Sequence, residues 1–133
     1  MFKVAKMIYF NYGHRLMDCH DKCSHLHGHS ARVEIEMAAP KLNGHGMVVN
    51  FFDIRKTIGE WIEKNLDHKM ILSEKDPLVK ILRKAGEPVM TSKEHPTAEL
   101  LAKWIFQAAR RMKLPVSKVT LWENQDSCAV YEK

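Results

Sequence analysis

Histidines and cysteines are concentrated in one stretch near the N-terminus of the chain. The run GHRLMDCHDKCSHLHGHS, residues 13–30, holds five of the eight histidines and two of the three cysteines. Imidazole nitrogen and thiolate sulfur are ligands that zinc prefers in proteins, and a thiol can also act as a nucleophile or a base. The stretch is therefore a closed structural metal site, an open catalytic one, or a polar loop that is rich in histidine.

Three of these histidines are expected on one face of two neighbouring strands. His27 and His29 alternate with polar residues, so their side chains project from the same side, about 6–7 Å apart at the backbone. His14 ends a β-prone segment and meets them if the two strands pair antiparallel. Three imidazoles with one open position form a catalytic zinc site, whereas Cys19 or Cys23 as a fourth ligand closes it. We predict that His14, His27 and His29 bind Zn²⁺.

Four principal strands and two helices are expected to position these residues. From the spacing of apolar residues we also expect a short strand at 47–51 and a loop at 66–77. The order strand, strand, helix, helix, strand, strand predicts one α+β domain over residues 1–133, with a four-stranded antiparallel sheet and both helices on one face. The principal strands are expected at 3–14, 27–37, 117–123 and 128–132, and the helices at 53–65 and from 96–97 to 113–115.

The bulk composition is that of a globular domain. The chain has 133 residues, 45% hydrophobic and 28% charged, with a formal net charge of +5. This charge suits an anionic small substrate and also weak attraction to nucleic acid. No apolar run approaches the ~20 residues that span a bilayer, and the N-terminus lacks the pattern of a signal peptide. We expect no membrane association and a cytoplasmic location, where cysteines stay reduced.

Six motifs together resemble one known family. In their order and spacing they are similar to the 6-pyruvoyl-tetrahydropterin synthase superfamily, and they cover nearly the whole chain. The spacing Cys-x-x-x-His-Gly-His is similar to the 6-carboxy-5,6,7,8-tetrahydropterin synthase branch of queuosine biosynthesis. The motifs are FNYGHRL, CSHLHGH, GMVVNF, LDHKMIL, HPTAELLA and VTLWE.

The resemblance implies a fold, an assembly and a set of site residues. The fold is the T-fold (tunnelling fold), and the assembly is a homohexamer of two trimers with active sites at subunit boundaries. The same three histidines are implied as zinc ligands. The resemblance assigns the remaining roles as follows: Cys23, Asp67 and His68 are catalytic, Glu123 anchors the pterin, and Thr97 and Glu99 lie near it.

The implied reaction starts from 7,8-dihydroneopterin triphosphate. The product is 6-carboxy-5,6,7,8-tetrahydropterin, with release of acetaldehyde and triphosphate. Zinc can acidify the substrate hydroxyls, and a thiol near a metal or a cationic histidine is a credible base. Two alternatives stay open: the same machinery stopping at 6-pyruvoyl-tetrahydropterin, and a noncatalytic zinc module that binds nucleic acid. For the leading reaction we expect no nucleic-acid partner.

Glu123 also has an argument from its own strand. Val119, Leu121 and Glu123 share one face, so a carboxylate follows two apolar residues inward. Such a carboxylate can accept two adjacent N–H groups from the amino-pyrimidinone edge of a pterin. An exposed glutamate at a strand end is the alternative, and helix capping accounts equally well for Thr97 and Glu99.

The chain departs from the family pattern at several positions. Tyr12 stands where a small residue is usual, and Asn50 replaces an aspartate. Leu72 and Leu100 each replace an asparagine. We expect Tyr12 and Leu72 to reshape the pocket, and Cys19 to be an extra thiol within reach of Cys23 under oxidation.

Overall fold

Two long strands that carry the three histidines form the centre of the sheet. The computed structural model describes residues 1–133, and its strands β1 (Phe2–His14) and β2 (His27–Ala39) pair antiparallel along their whole length. Their register places His14 opposite His27. The paired β-prone segments at 3–14 and 27–37 are therefore confirmed, with slightly wider bounds.

The sheet has six strands in mixed directions, so the prediction of four antiparallel strands was wrong in number and direction. The strand order is β4-β3-β1-β2-β5-β6, and β3 (Lys69–Ser73) runs parallel to both β1 and β4 (Val89–Ser92). The expected loop at 66–77 contains β3. Ile71, Leu72 and Ser73 are all buried, and a strand covered on both faces shows no alternation to detect.

The first helical region starts earlier than expected. It runs through α1 (Phe51–Ile54), a π-helical turn (Arg55–Gly59) and α2 (Glu60–Asn65). The strand expected at 47–51 is absent, because the Asn50 side chain caps the helix by accepting a hydrogen bond from the Phe52 N–H at 2.9 Å. Asparagine and aspartate are comparable N-caps. The departure at position 50 therefore retains a capping function.

The remaining elements include one helix that the sequence did not indicate. That helix is α3 (Leu78–Lys84), which lies between β3 and β4. The expected second helix is α4 (Ala98–Arg111), and Thr97 caps it by accepting from the Leu100 N–H. The two C-terminal strands are confirmed as β5 (Val116–Trp122) and β6 (Cys128–Glu132).

The core lies between one face of the sheet and the helices. The helical stripes of α1–α2 and α4 contribute Ile58, Ile62 and Ile105, which pack in one cluster with Val33 and Ile35 of β2. The alternation expected for β2 is thus confirmed, since its odd-numbered residues from 31 to 37 are buried. None of the helices combines the length and apolar character needed to traverse a lipid bilayer.

Candidate metal centre and active site

Three imidazoles converge where β1 ends and β2 begins. One ligating atom from each of His14, His27 and His29 lies within 4.8 Å of the others. The His14 Nε2 and His29 Nε2 atoms are 3.1 Å apart, close to the ~3.3 Å between two nitrogens bound tetrahedrally at zinc distances. Neither Cys19 nor Cys23 belongs to this group. The three-histidine arrangement expected from strand parity is present, without a thiol that closes it.

Backbone carbonyls orient two of these rings. His14 Nδ1 donates to the Pro96 carbonyl at 2.7 Å, and His27 Nδ1 donates to the His25 carbonyl at 2.7 Å. With Nδ1 protonated, each Nε2 keeps its lone pair for a metal, as in the outer shell of known metal sites. Burial is the largest cause that lowers the pKa of His14, which favours the neutral form that ligation requires. The donor set fits a zinc ion.

Glycine at position 28 permits the close approach of the two strands. A Cβ atom on Gly28 would lie 3.1 Å from the Tyr12 carbonyl oxygen. That oxygen belongs to the backbone and cannot swing away. The glycine between His27 and His29 therefore keeps both imidazoles on a tightly paired strand.

A cavity of about 640 Å³ opens beside the histidines. Its walls come from the β1–β2 loop, the start of α4 and the turn between β5 and β6. The cavity brings together all the site residues predicted from the sequence except Asp67 and His68. Those gathered are His14, Cys23, His27, His29, Thr97, Glu99 and Glu123.

Comparisons with known proteins identify the family. The family model described as 6-pyruvoyl tetrahydropterin synthase matches residues 3–133. The chain belongs to this family. A protein of Rickettsia bellii named 6-carboxy-5,6,7,8-tetrahydropterin synthase is 38% identical over 104 residues, covering 77% of this chain and 75% of that one. A Haemophilus influenzae protein with the same name is 28% identical over the full length of both chains.

Solved structures share the fold of this chain. An uncharacterised protein from Wolinella succinogenes has a TM-score of 0.83 at 24% identity, covering 99% of this chain and 98% of that one. The 6-pyruvoyl tetrahydropterin synthase of Caenorhabditis elegans has a TM-score of 0.73 at 19% identity, covering 99% and 95%. The predicted α+β T-fold is confirmed.

Asp21 controls the surroundings of Cys23, and sequence reasoning missed it. Its carboxylate accepts hydrogen bonds from the Cys23 N–H at 2.9 Å and from the Cys19 thiol at 3.1 Å. The bond between the Cys23 thiol and Asp21 is the largest cause that raises the pKa of Cys23. The protein alone thus favours the thiol rather than the thiolate. An aspartate two residues before the cysteine, at the N-cap of a short 3₁₀ turn (Lys22–Ser24), was the available signal.

Asp67 and His68 form a hydrogen-bonded pair outside the cavity that holds Cys23. Asp67 Oδ2 accepts from His68 Nδ1 at 2.8 Å, and Asp67 Oδ1 accepts from the Asn11 N–H at 2.8 Å. Burial opposes ionisation of Asp67, but these hydrogen bonds outweigh it and hold its pKa below the ordinary value. The His68 side chain is 77% exposed. Sequence adjacency did not establish this bond, and the structure adds it.

Glu123 lies close to the histidines and is held by Tyr12. Its Oε1 is 3.6 Å from His14 Nε2 and 3.7 Å from His29 Nε2. The Tyr12 hydroxyl donates to the same Oε1 at 2.6 Å. Burial, and next the hydrogen bond to Glu123, raise the pKa of Tyr12 far above its usual range. The tyrosine that departs from the family pattern thus contacts the expected anchor.

The two leucine departures have a packing role. Leu72 and Leu100 are 0% and 7% exposed, and neither lines the cavity beside the histidines. Leu72 therefore does not contact a ligand in this cavity, and its effect on the shape of the pocket stays a prediction. An apolar side chain at each position fills space that is closed to water.

Proposed function

We propose that this protein is a zinc-dependent lyase of queuosine biosynthesis. It converts 7,8-dihydroneopterin triphosphate to 6-carboxy-5,6,7,8-tetrahydropterin, releasing acetaldehyde and triphosphate. The observation that carries the proposal is the three-histidine group in one cavity with Cys23 and Glu123. The names of the relatives from Rickettsia and Haemophilus support this branch. We also propose that the protein acts in the cytoplasm, because a reducing compartment keeps its three free cysteines reduced.

Each proposed role follows from the chemistry of its side chain. When bound, zinc supplies a Lewis acid that polarises the substrate's side-chain hydroxyls. Cys23 removes a proton from carbon once the cationic surroundings of the loaded site lower its pKa. Glu123 accepts the N–H groups of the pterin edge. Thr97 and Glu99 line the same cavity at the start of α4, and we place them near the pterin ring.

The proposal places Asp67 and His68 in the active site of a neighbouring subunit of a homohexamer. The support is that this pair lies outside the cavity holding Cys23, while His68 is exposed and ready for contact with another chain. Histidine is suited to proton exchange near neutral pH, and Asp67 orients its ring through the Nδ1 hydrogen bond.

Mixed oligomers test the shared site. Cys23→Ala and His68→Ala chains, each inactive alone, are unfolded together in equal amounts and refolded. If each site uses Cys23 of one chain and His68 of another, about a quarter of the sites regain both groups by random assembly. Absence of any recovered activity, with hexamers of both chains present by mass spectrometry, contradicts the shared site.

An acetaldehyde assay tests the reaction itself. Purified zinc-loaded protein is incubated with 7,8-dihydroneopterin triphosphate, and acetaldehyde, triphosphate and the pterin product are quantified. Equimolar acetaldehyde and 6-carboxytetrahydropterin support the proposal. Triphosphate without acetaldehyde assigns the alternative, a 6-pyruvoyl-tetrahydropterin synthase, which the family model's description also accommodates. The Cys23→Ala variant serves as the control for uncatalysed breakdown.

A further inference from the structure

A buried tyrosine beneath the metal-binding histidines holds the carboxylate of Glu123. We infer that Tyr12 is a positioning residue that fixes the orientation of Glu123 for binding the amino-pyrimidinone edge of a pterin. This inference rests on the proposed function, since it concerns the ligand of the same site. Tyr12 and Glu123 are 111 positions apart in the chain, and only the folded sheet brings them together.

The ring of Tyr12 is locked by its neighbours. Tyr12 is 3% exposed, and its ring stacks on Phe10 with centroids 5.6 Å apart. It meets the His14 ring edge-on at 5.1 Å and lies 5.5 Å from the His29 ring. A ring packed on three sides has little freedom to rotate. Its hydroxyl is therefore a fixed donor.

The orientation of the Glu123 carboxylate depends on the hydroxyl of Tyr12. Glu123 follows the last residue of β5, and its side chain remains 23% exposed at the cavity. The hydrogen bond from Tyr12 reaches Oε1 at 2.6 Å, a short distance typical of a hydroxyl bonded to a carboxylate. A glutamate side chain without such a contact loses rotamer freedom only when ligand binds, which weakens binding.

The bond leaves acceptor capacity for a ligand. A carboxylate has about four lone-pair sites, and the Tyr12 hydroxyl takes one of those on Oε1. Oε2 and the second lone pair of Oε1 are free to accept two adjacent N–H groups. A residue without a hydroxyl group at position 12 cannot make this bond. The orientation of the Glu123 carboxylate therefore depends on the phenol of Tyr12.

A double-mutant cycle tests the inference on the full-length, zinc-loaded protein. The variants are Tyr12→Phe, Glu123→Ala and the double substitution, and the probe is 7,8-dihydroneopterin, with affinity measured by calorimetry. Tyr12→Phe keeps the packed ring and removes only the hydroxyl. Tyr131→Phe is the matched control, since Tyr131 lies on β6 and its ring packs against Phe106 of α4.

We expect Tyr12→Phe to weaken dihydroneopterin binding about tenfold, the lower end for a hydrogen bond to a charged group. The same substitution made in Glu123→Ala has little further effect, because the acceptor of the Tyr12 hydroxyl is already absent. Zinc content and Tyr131→Phe binding stay at the wild-type values. In turnover of the triphosphate, KM rises while kcat is unchanged, as for loss of uniform binding.

Three outcomes decide the matter. An equal loss from Tyr12→Phe in both backgrounds overturns the inference, because the phenol then acts independently of Glu123. Loss of zinc from Tyr12→Phe overturns it as well, since the tyrosine then acts through the histidines. Coupled binding without turnover by the wild-type protein refutes the proposed lyase function and leaves the role of Tyr12 intact.

Discussion

At the scale of single residues, the two ring nitrogens of His14 make different contacts. His14 is buried, and its Nδ1 is committed to the carbonyl of Pro96 just before α4. Its Nε2 faces His29, so one ring links the helix start to the proposed metal. Cys23 lies in the same cavity but outside the ligand group. Substitution of a histidine and substitution of Cys23 should therefore have different effects on zinc content.

The first prediction contrasts two alanine substitutions. His29→Ala removes one of three ligands, and we expect zinc affinity to fall at least tenfold, by analogy with the cost of losing even an outer-shell partner. Cys23→Ala retains zinc at the wild-type stoichiometry and loses turnover. Metal content is measured by atomic absorption after gel filtration. Equal zinc loss in both variants makes Cys23 a ligand instead.

The second prediction concerns Asp21. Because its carboxylate is the main cause that raises the pKa of Cys23, Asp21→Asn lowers that pKa and increases the thiolate fraction at a given pH. We expect the pH profile of iodoacetamide alkylation to shift to lower pH. Cys19 and Cys128 are replaced by serine in both proteins, so that one thiol is followed. An unchanged profile refutes control by Asp21.

At the scale of elements, an ion pair at its start and a hydrogen bond within it hold the loop between β1 and β2. Arg15 follows the ligand His14 and makes two hydrogen bonds to Asp76, at 2.7 and 2.6 Å. Inside the loop, the Leu16 N–H donates to the Cys23 carbonyl at 2.8 Å. The ion pair therefore connects the loop carrying Cys23 to the segment between β3 and α3.

The third prediction follows from the Arg15–Asp76 pair. The Asp76 side chain is 0% exposed and that of Arg15 is 20% exposed, so Asp76→Asn leaves a poorly solvated cation and costs about 3 kcal/mol of unfolding free energy at pH 7. The hydrogen bond from Arg15 lowers the pKa of Asp76. The stabilisation of the folded state by ionised Asp76 is thus complete above ~3.9, the pKa of an aspartate in the unfolded chain. It disappears as the pH falls through the lower pKa that Asp76 has in the folded protein.

Urea unfolding between pH 7 and pH 3 measures this effect. The difference in unfolding free energy between the wild type and Asp76→Asn should become smaller as the pH approaches 3. Asp18→Asn is the matched control, since the Asp18 side chain is 72% exposed. A gap that stays constant across this range contradicts the ion pair as the cause.

At the scale of the whole molecule, metal binding and folding are linked. The histidines come from two strands whose pairing spans residues 2–39, so the site exists only when the sheet is formed. A ligand that binds only the folded state raises its stability. Zinc binding to the three histidines should therefore stabilise the folded state in addition to any role in catalysis.

The fourth prediction is a dependence of thermal stability on zinc. Free zinc at about one hundred times its Kd stabilises by about 2.7 kcal/mol, which for a domain of this size is roughly 5–10 °C in Tm. Calorimetry of chelated and zinc-loaded protein measures the difference. His29→Ala should show a much smaller shift, and an equal shift in that variant indicates binding elsewhere.

Local patterns in the sequence determined the long paired strands, the capped helix α4 and the face shared by His14, His27 and His29. Alternation and cap chemistry act over a few residues, so they can be read without knowing the fold. The order of the expected strands and helices likewise indicated the α+β class, and the motifs with their spacing indicated the family. Residues 119–123 also showed that Glu123 follows an inward-facing pair.

Only the tertiary structure decided the parallel strands β3 and β4, the hydrogen bond that the Cys23 thiol donates to Asp21, and the contact between Tyr12 and Glu123. Three consecutive residues of β3, Ile71 to Ser73, are buried, which removes the alternation that reveals a strand. β4 has only four residues, too few to show a clear alternation. Asp21 is close in sequence, but the direction of its carboxylate depends on the turn it caps. Tyr12 and Glu123 meet across β2, and side chains so distant in the chain become partners only when the register of three strands is set.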